Sequence, residues 1–476
     1  MQSKKIVIDP VTRIEGHAKI TIDLGEDGAV ADARLHVTQF RGFEKMCEGR
    51  PLNEMPALTA RTCGICPVSH VIAATKACDA IMAIRPPKAA RNIRRIVNLA
   101  QMVQSHALNF YHLSTPDLLY GFDASKEERN IFKMMQTHPE MAKDGIKLRA
   151  FGQKIIEQLG GKRIHPEWIV PGGVSHPLSQ EKKNTIVEEL PEALEIAQRA
   201  LSFFKENLSR FSQEIENFAS YPSLFMALVG KDGRLEHYDG VLQFIDAEGN
   251  VLEEAIDPAE YKEYIGEAVE SDSYLKSPYY KPMGYPQGMY RVGALARLNI
   301  ASHCGTPLAD KELEEFKKIN GGKPVLQSFY YHYARLIEII YALERIEELL
   351  QEEESLDPNI RASGGVNRLH GVGCSEAPRG TLFHDYTVTQ DGVMERVNMI
   401  IATGNNNLAM NAGVKQVAQA FVDPANISDG ALNRVEAVIR CFDPCLSCST
   451  HALGIVSSQI ELRDHKRKLL QVFTRN

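Results

Sequence analysis

No apolar run in this sequence approaches the ~20 residues that a membrane-spanning helix requires, so no transmembrane segment is expected. Nor is there a basic excess: 54 Lys and Arg stand against 61 Asp and Glu, a net charge of −7, which argues against a nucleic-acid surface. No signal-peptide-like apolar stretch precedes the strand pattern at Lys5-Ile-Val-Ile8. The nine cysteines, odd in number and unevenly spread, do not form the framework of a disulfide-rich secreted protein. A reducing, cytoplasmic setting is therefore the expectation, although a subunit exported on a partner's signal would show the same start. Internal repeats, low-complexity linkers and convincing domain boundaries are also lacking. With 476 residues, 44% hydrophobic and 24% charged, the chain can bury a large core.

What the sequence does have is two distant Cys-x-x-Cys motifs, each followed closely by a histidine: Cys63-Gly-Ile-Cys66-Pro-Val-Ser-His70 and Cys445-Leu-Ser-Cys448-Ser-Thr-His451. Structural zinc pairs usually lie within a few tens of residues on a small local fold. Here almost the whole chain separates the pairs, so the global fold must unite them. Four converging thiolates make a soft site, suited to nickel, iron or zinc and unsuited to magnesium or calcium. Around one divalent ion they leave excess negative charge, which a second metal bridged by two of the sulfurs relieves. Redox chemistry also needs an open coordination position, which a closed zinc site lacks. Arg61, Arg379, Glu15, Asp443 and Asp117 are charged residues without an evident structural duty, and they are the candidates for tuning such a site. Residue chemistry alone names no substrate, and structural zinc stays open.

Along the chain, residues 4–38 read as a strand, Lys5–Ile8, and a hairpin, His17–Asp23 with Val30–Val37, turning at Gly25–Gly28. The intervening Arg13-Ile-Glu15-Gly-His17 reads as a charged loop. The spacing predicts helices over 89–112, 180–218 and 327–354, with Cys66 near a helix start. His106 and His112 read as core or interface histidines. A β-rich insert spans 222–256, and 257–325, rich in Tyr, Pro and Gly, reads as irregular. The segment 371–380 leads into a third hairpin, Leu382–Val388 with Val393–Ala402, which Gly404-Asn-Asn-Asn407 ends before further helices. The tail reads as two short strands, 455–462 and 468–473. The fold class is thus mainly α (α+β), a bundle of long helices with peripheral β-hairpins.

Arg61-x-Cys63-Gly-x-Cys66-x-x-x-His70 and Asp443-Pro-Cys445-x-x-Cys448-x-x-His451 resemble the paired nickel-ligand motifs of the [NiFe]-hydrogenase large subunit. Arg13-Ile-Glu15-Gly-His17, Arg41-Gly-Phe-Glu44, Glu376-Ala-Pro378-Arg379-Gly and Thr403-Gly-Asn-Asn-Asn407 fit in the same order. The resemblance covers nearly the whole chain and is strongest to the cytoplasmic, bidirectional, pyridine-nucleotide-linked branch and its electron-bifurcating relatives. It implies the large-subunit fold over 1–451. Nickel would be held by Cys63, Cys66, Cys445 and Cys448, with Cys66 and Cys448 bridging to an iron that carries one carbon monoxide and two cyanides. His70, Pro378, Arg379 and Thr403 would line that group, the last two hydrogen-bonded to the cyanides. Glu44, the backbone carbonyl near Met399 and His451 match the family's magnesium site.

The implied reaction is heterolytic splitting of dihydrogen, with the metals as Lewis acids and a nearby base taking the proton. Cys445 would be that base and pass the proton to Glu15. Arg379, positioned by Asp117 and Asp443, is the competing base and ranks second because its pKa is so high. The remaining cysteines form no iron–sulfur pattern. The resemblance therefore implies an iron–sulfur small subunit, diaphorase-type subunits that bind NAD(P) and flavin, and an eventual acceptor that is NAD, NADP or ferredoxin. It also implies a maturation protease that cuts after His451 and releases 452–476. A large subunit of the complex I type, which shares this fold, would have lost the metal cysteines; all four stand here.

Overall fold

The helices Pro67–Met82, Lys88–Ala107 and Tyr331–Gln351 are buried on nearly every side, and the others pack around them. The computed structural model describes residues 5–450 and, for the tail, the backbone of the strands Ser458–Arg463 and Leu469–Arg475. The framework helices are α1 (Pro67–Met82), α2 (Lys88–Ala107), α3 (Pro139–Gly160), α4 (Gln180–Asn207), α5 (Ala294–Ile300), α6 (Tyr331–Gln351), α7 (Asn407–Phe421) and α8 (Asp429–Phe442). Within α2 the apolar Ile93, Ile96, Val97, Ala100 and Val103 recur at the spacing that buries one face. Contacts with α1, α3 and α6 bury its polar face too. A helix enclosed in this way must satisfy its polar side chains internally. Gln101 accepts from the N–H of Val68 at 2.8 Å, and Gln104 donates to the carbonyl of Ile65 at 2.7 Å. Both bonds pin the loop that carries Cys63 and Cys66.

The described sheets are small. Strands β1 (Lys5–Ile8), β2 (Ala18–Leu24) and β3 (Val30–Val37) form an antiparallel meander. Strands β4 (Leu224–Val229), β5 (Val241–Ile245) and β6 (Val251–Ile256) continue in order, with β7 (Tyr290–Arg291) parallel to the far edge of β4. Strands β8 (His370–Ala377), β9 (Gly380–Val388) and β10 (Met394–Ile400) form the sheet that matters most for the site. Beyond it, Ser458–Arg463 pairs antiparallel with Leu469–Arg475.

Three expectations are corrected. The helix expected over 180–218 ends at Asn207, passes through a tight turn at Leu208–Phe211 and resumes as Ser212–Asn217. Asn207 causes the break, because its amide bonds back to the carbonyl of Phe203 at 2.8 Å and accepts from Arg210. Residues 257–325 are not irregular. They contain the ribbon Ile265–Ala268 with Ser277–Tyr280, then β7, α5 and the helix Pro307–Lys318, whose first residue is the proline a helix start favours. The segment 371–380 is not a lead-in: most of it is strand β8, packed against α1.

Glycine makes that last packing possible. A Cβ on Gly373 would lie 1.9 Å from the carbonyl oxygen of Ala73, and one on Gly371 would lie 2.5 Å from that of Ala77. The backbones of α1 and β8 therefore touch across a row of small residues, which fixes the helix that Cys66 begins against the strand that ends at Ala377. Gly373→Ala has no flexible side chain to displace. It should destabilise the protein by about 3 kcal/mol, the upper end for over-packing, seen as a lower thermal midpoint. An unchanged midpoint would mean that α1 and β8 can separate freely.

Candidate metal centre

Cys63 and Cys66 stand on the loop between the short helix Met55–Ala60 and α1, with Cys66 at the N-cap of α1 and Pro67 just inside. The bonds with Cys445 and Cys448 and the partial positive charge of a helix N-terminus favour a thiolate there. The bond with Cys63, burial and the charge on Cys63 outweigh them and raise the Cys66 thiol above its ordinary value. Cys445 and Cys448 enter from the opposite end of the chain. At the end of α8, Asp443 takes the left-handed conformation (φ 54°) and turns the chain inward, and Cys445 then caps the short helix Leu446–Ser449.

All nine cysteines are buried and unbridged, but only these four come together among the described residues. Their sulfurs all lie within 4.8 Å of one another. Metal–sulfur bonds of ~2.3 Å allow opposite ligands to be ~4.6 Å apart, so one ion can reach all four. Cys63 Sγ is 2.8 Å from Cys66 Sγ and 3.2 Å from Cys445 Sγ, and it accepts from the N–H groups of Ile65 and Cys66 at 3.3 and 3.1 Å. Burial opposes ionisation of Cys63, yet hydrogen bonds from Cys445, Cys448 and Cys66 and the charge of Arg379 hold it well below the usual thiol value. Cys445 is pushed up by its bonds to the neighbouring thiols, and Cys448 is pushed up first by burial. Alone, the pocket stabilises a first thiolate and resists the others, so complete ionisation requires a cation.

Arg379 supplies one fixed positive charge. It stands at the tip of the β8–β9 hairpin, where Ala377 pairs with Gly380 and Pro378-Arg379 form the two-residue turn. Its Nε donates to the carbonyl of Asp443 at 2.7 Å, one terminal nitrogen meets the Asp443 carboxylate at 3.0 Å, and the other donates to Ser105 Oγ at 3.0 Å. A guanidinium has five N–H donors, so two are left unassigned among the described residues. Burial would lower its pKa, but Asp443 and the sulfurs of Cys445, Cys66 and Cys63 outweigh burial and raise it above the ordinary arginine value. Burial also raises Asp443, against the pull of Arg379 and Arg335.

Glu15 reaches the site through backbone. It bridges to Cys445, its carbonyl accepts from Leu446 N at 3.2 Å, and its carboxylate accepts from Ser447 N at 3.1 Å. Gly16 (φ 88°) permits this approach, since a Cβ there would lie 2.7 Å from Leu446 Cβ. Thr403 Oγ1 accepts from Cys445 N at 2.9 Å, which leaves its own proton to donate. His70 is buried on α1, with Nδ1 3.1 Å from Nε2 of His384. Pro378 is buried, and its carbonyl is 3.4 Å from a donor of Arg297. Glu44 accepts from Met399 N at 2.7 Å, and burial raises its pKa against that bond. His451 lies outside the described residues.

Two expected neighbours are elsewhere. Arg61 is exposed at the end of the helix Met55–Ala60 and meets none of the four thiols. Asp117 does not position Arg379. It binds Arg13 at 2.7 Å and Asn433 at 3.0 Å, with Arg129 and Arg440 at 3.6 and 3.4 Å. Arg13 is itself left-handed (φ 55°), so Asp117 anchors the loop that presents Glu15. The partner of Arg379 that sequence reasoning missed is Ser105, one residue before His106 on α2. Asn405 and Asn406 were noted within the Thr403–Asn407 motif but given no role. They donate to the carbonyls of Thr381 and Arg379 at 2.9 and 3.4 Å and so brace the hairpin tip.

The chain resembles known proteins over nearly its whole length. A family model described as nickel-dependent hydrogenase matches residues 41–141 and 246–451, and one described as HoxL-like matches 5–40. The chain belongs to the nickel-dependent hydrogenase family. It is 37% identical to the beta chain of the NAD-reducing hydrogenase HoxS of Cupriavidus necator, over 98% of this chain and 99% of that one. It is 39% identical to one of the chains of the F420-non-reducing hydrogenase of Methanothermobacter thermautotrophicus, over 96% of each. The crystal structure of an NAD+-reducing [NiFe]-hydrogenase in the H2-reduced state superposes with a TM-score of 0.92 at 40% identity, covering 94% of this chain and all of that one. The fold is that of a hydrogenase large subunit, and a complex I type or structural zinc reading is not favoured. Four buried thiols within reach of one ion are the soft donor set that nickel dependence requires.

The anchoring role of Asp117 can be tested by Asp117→Asn. Burial would raise the Asp117 pKa, but Arg440 and Arg13 outweigh it and hold the carboxyl below its ordinary 3.8. Its stabilisation is therefore present above that pH and fades as the pH falls through the lower folded value. The variant should lose about 3 kcal/mol near neutral pH, and the gap should narrow below pH 3.8. A gap independent of pH would contradict the ion-pair origin.

Proposed function

We propose that the chain cleaves dihydrogen reversibly with a nickel that Cys63, Cys66, Cys445 and Cys448 would hold and an iron that Cys66 and Cys448 would also hold, the iron bringing carbon monoxide and two cyanides. The observation that carries this reading is the convergence of four buried thiols, one of them capping α1, beneath a charged arginine. When bound, the metal pair supplies the Lewis acidity that polarises dihydrogen and accepts its electrons. The protein supplies the base, the proton exit and the fixed charges. Cys445 Sγ takes the proton; Glu15, bridged to Cys445 through the backbone, carries it on toward the surface. Arg379 stays protonated, because its surroundings raise its pKa, and so acts as a donor rather than a base. Its two unassigned N–H groups and the hydroxyl proton of Thr403 are the donors for the cyanides, beside Pro378 and His70. Glu44, the Met399 carbonyl and His451 are the residues that would hold a magnesium ion.

Electrons leave through another chain. Cys47, Cys78, Cys304, Cys374 and Cys441 are buried and enter no ligand group of three or more among the described residues, and burial pushes the thiols of Cys47 and Cys441 up to about 12. We assign the exit to an iron–sulfur small subunit, with flavin- and NAD(P)-binding subunits beyond it to serve the acceptor that the NAD-reducing relative uses. A ferredoxin-type acceptor is the second reading; the archaeal relatives are named only for not reducing F420. We place the complex in the cytoplasm, where the nucleotide acceptor is found. No helix among the described residues is long and apolar enough to cross a membrane.

A protease cut at His451–Ala452 completes the reading. The family match ends at residue 451, and the superposed hydrogenase is spanned in full by 94% of this chain. The mature subunit in the active complex should end at His451 by intact mass, while nickel-free precursor should keep 452–476. Active, metal-loaded enzyme with the tail intact would refute the cut.

Replacing any of Cys63, Cys66, Cys445 or Cys448 by Ala should abolish turnover and nickel retention together, whereas Cys47→Ala and Cys304→Ala should keep both. A Cys445→Ala protein with full activity would sink the assignment. Glu15→Gln keeps shape and loses the titratable proton. Its H/D exchange should collapse at normal metal content, and near-normal exchange would move the proton exit elsewhere.

A further inference from the structure

A hairpin turn is normally at the surface, where water satisfies its carbonyls. The Pro378-Arg379 turn is buried among helices and needs other donors. Arg297, on α5 and itself fully buried, supplies them. Its Nε donates to one oxygen of Glu338 at 2.5 Å. One terminal nitrogen donates to Glu376 at 2.6 Å and to the Ala377 carbonyl at 3.0 Å. The other donates to Glu338 at 2.7 Å and to the Pro378 carbonyl at 3.4 Å. All five donors are used, two of them on the residues immediately before Arg379.

The acceptors are fixed in turn. Burial would raise Glu338, but Arg297 outweighs it and holds the carboxyl well below the usual range. Glu338 also meets His106 Nε2 at 2.9 Å, and burial pushes that histidine down to about 4, so it sits there neutral. The Oε1 of Glu376 accepts from Leu228 N at 2.8 Å and from the Thr381 hydroxyl at 2.7 Å, the latter just past the turn. Backbone closes the remaining side: a Cβ on Gly293, which precedes α5, would lie 3.0 Å from the Arg379 carbonyl.

We propose that Arg297 is a positioning residue of the hydrogen-cleaving centre, replacing water at the buried Pro378-Arg379 turn and so setting where the Arg379 guanidinium lies over the thiols. It touches neither metal ligands nor substrate. Its geometry matters because donors to a developing charge act only if preorganised, and a misplacement of ~1 Å can cost ~100-fold in rate. A lysine cannot replace it: one compact ammonium has three donors and cannot grip two carboxylates and two carbonyls at once.

The inference rests on the reading that Arg379 faces the cyanides, and the test separates the two. In the assembled metal-loaded complex, Arg297→Lys is compared with Arg94→Lys. Arg94 is another buried arginine, and its partners are Asp79, Tyr238 and the carbonyls of Val170 and Gly173, away from the turn. Both variants should lower the thermal midpoint. Only Arg297→Lys should shift or split the cyanide infrared bands and lower kcat about tenfold or more with the KM for dihydrogen little changed, nickel and iron content being retained. Unmoved bands and kcat in Arg297→Lys would overturn the proposal, as would equal changes in Arg94→Lys. If Arg297→Lys does not assemble, Thr381→Val removes one bond from Glu376 and should move the same bands less. Unmoved bands there would likewise overturn it. Absence of cyanide bands in the unaltered enzyme would defeat the iron-ligand reading alone, and the kcat comparison would then decide the role of Arg297.

Discussion

Bringing four ionisable thiols to one point in the protein core is the constraint on which the rest of this structure depends. Cys63 and Cys445 are 382 residues apart, and neither side of the site can be built locally. Each pair is held by an element that is itself pinned from a distance. Gln101 and Gln104 of α2 grip the loop before α1, while Thr403 and the backbone of Glu15 grip the segment after α8. The long helices thus do more than bury apolar surface. They form a rigid frame in which two Cys-x-x-Cys segments have one arrangement each.

Charge imposes the second layer. One thiolate is stabilised within the pocket by its neighbours, while Cys445 and Cys448 resist ionisation without a cation. Arg379 offsets part of the burden permanently, and its own charge is held by Asp443 and the sulfurs. Asp443 is therefore better described as the group that keeps Arg379 in place than as an independent acid. The same logic separates Asp117 from the centre: with Arg13, Arg129 and Arg440 around it, its charge is already matched locally.

Much of this was legible in the sequence because the informative signals were chemical and widely spaced. Two Cys-x-x-Cys motifs required the fold to join them, and the heptad-like apolar spacing of α2 and α6 marked the frame. Glu376-Ala-Pro-Arg379 was legible as a motif but not as a buried hairpin tip, since Gly371 and Gly373 weaken the strand pattern just where they allow α1 to approach. Arg61 and Asp117 were misplaced because a charge in sequence does not show which way it faces or which arginines are near. The helix over 180–218 was overextended because periodicity continued past Asn207, whose side chain competes for the backbone.

Arg297 illustrates the rule that buried charge needs partners. It stands in Ala294-Leu-Ala-Arg-Leu298, within a stretch read from the sequence as irregular, and the structure makes this a short apolar helix with one charge in it, which needs either an exposed face or a dedicated acceptor set. The structure shows the second, with Glu338 from α6 and Glu376 from β8 contributing one carboxylate each. Three elements far apart in the chain are joined at one guanidinium, and the turn they hold carries the charge that faces the thiols. On the proposed reading, in which a neighbouring thiol is protonated in each turnover, a solvated loop would not keep that position. A turn whose carbonyls are capped by a fixed cation can, because no water has to rearrange when the charge beside it changes.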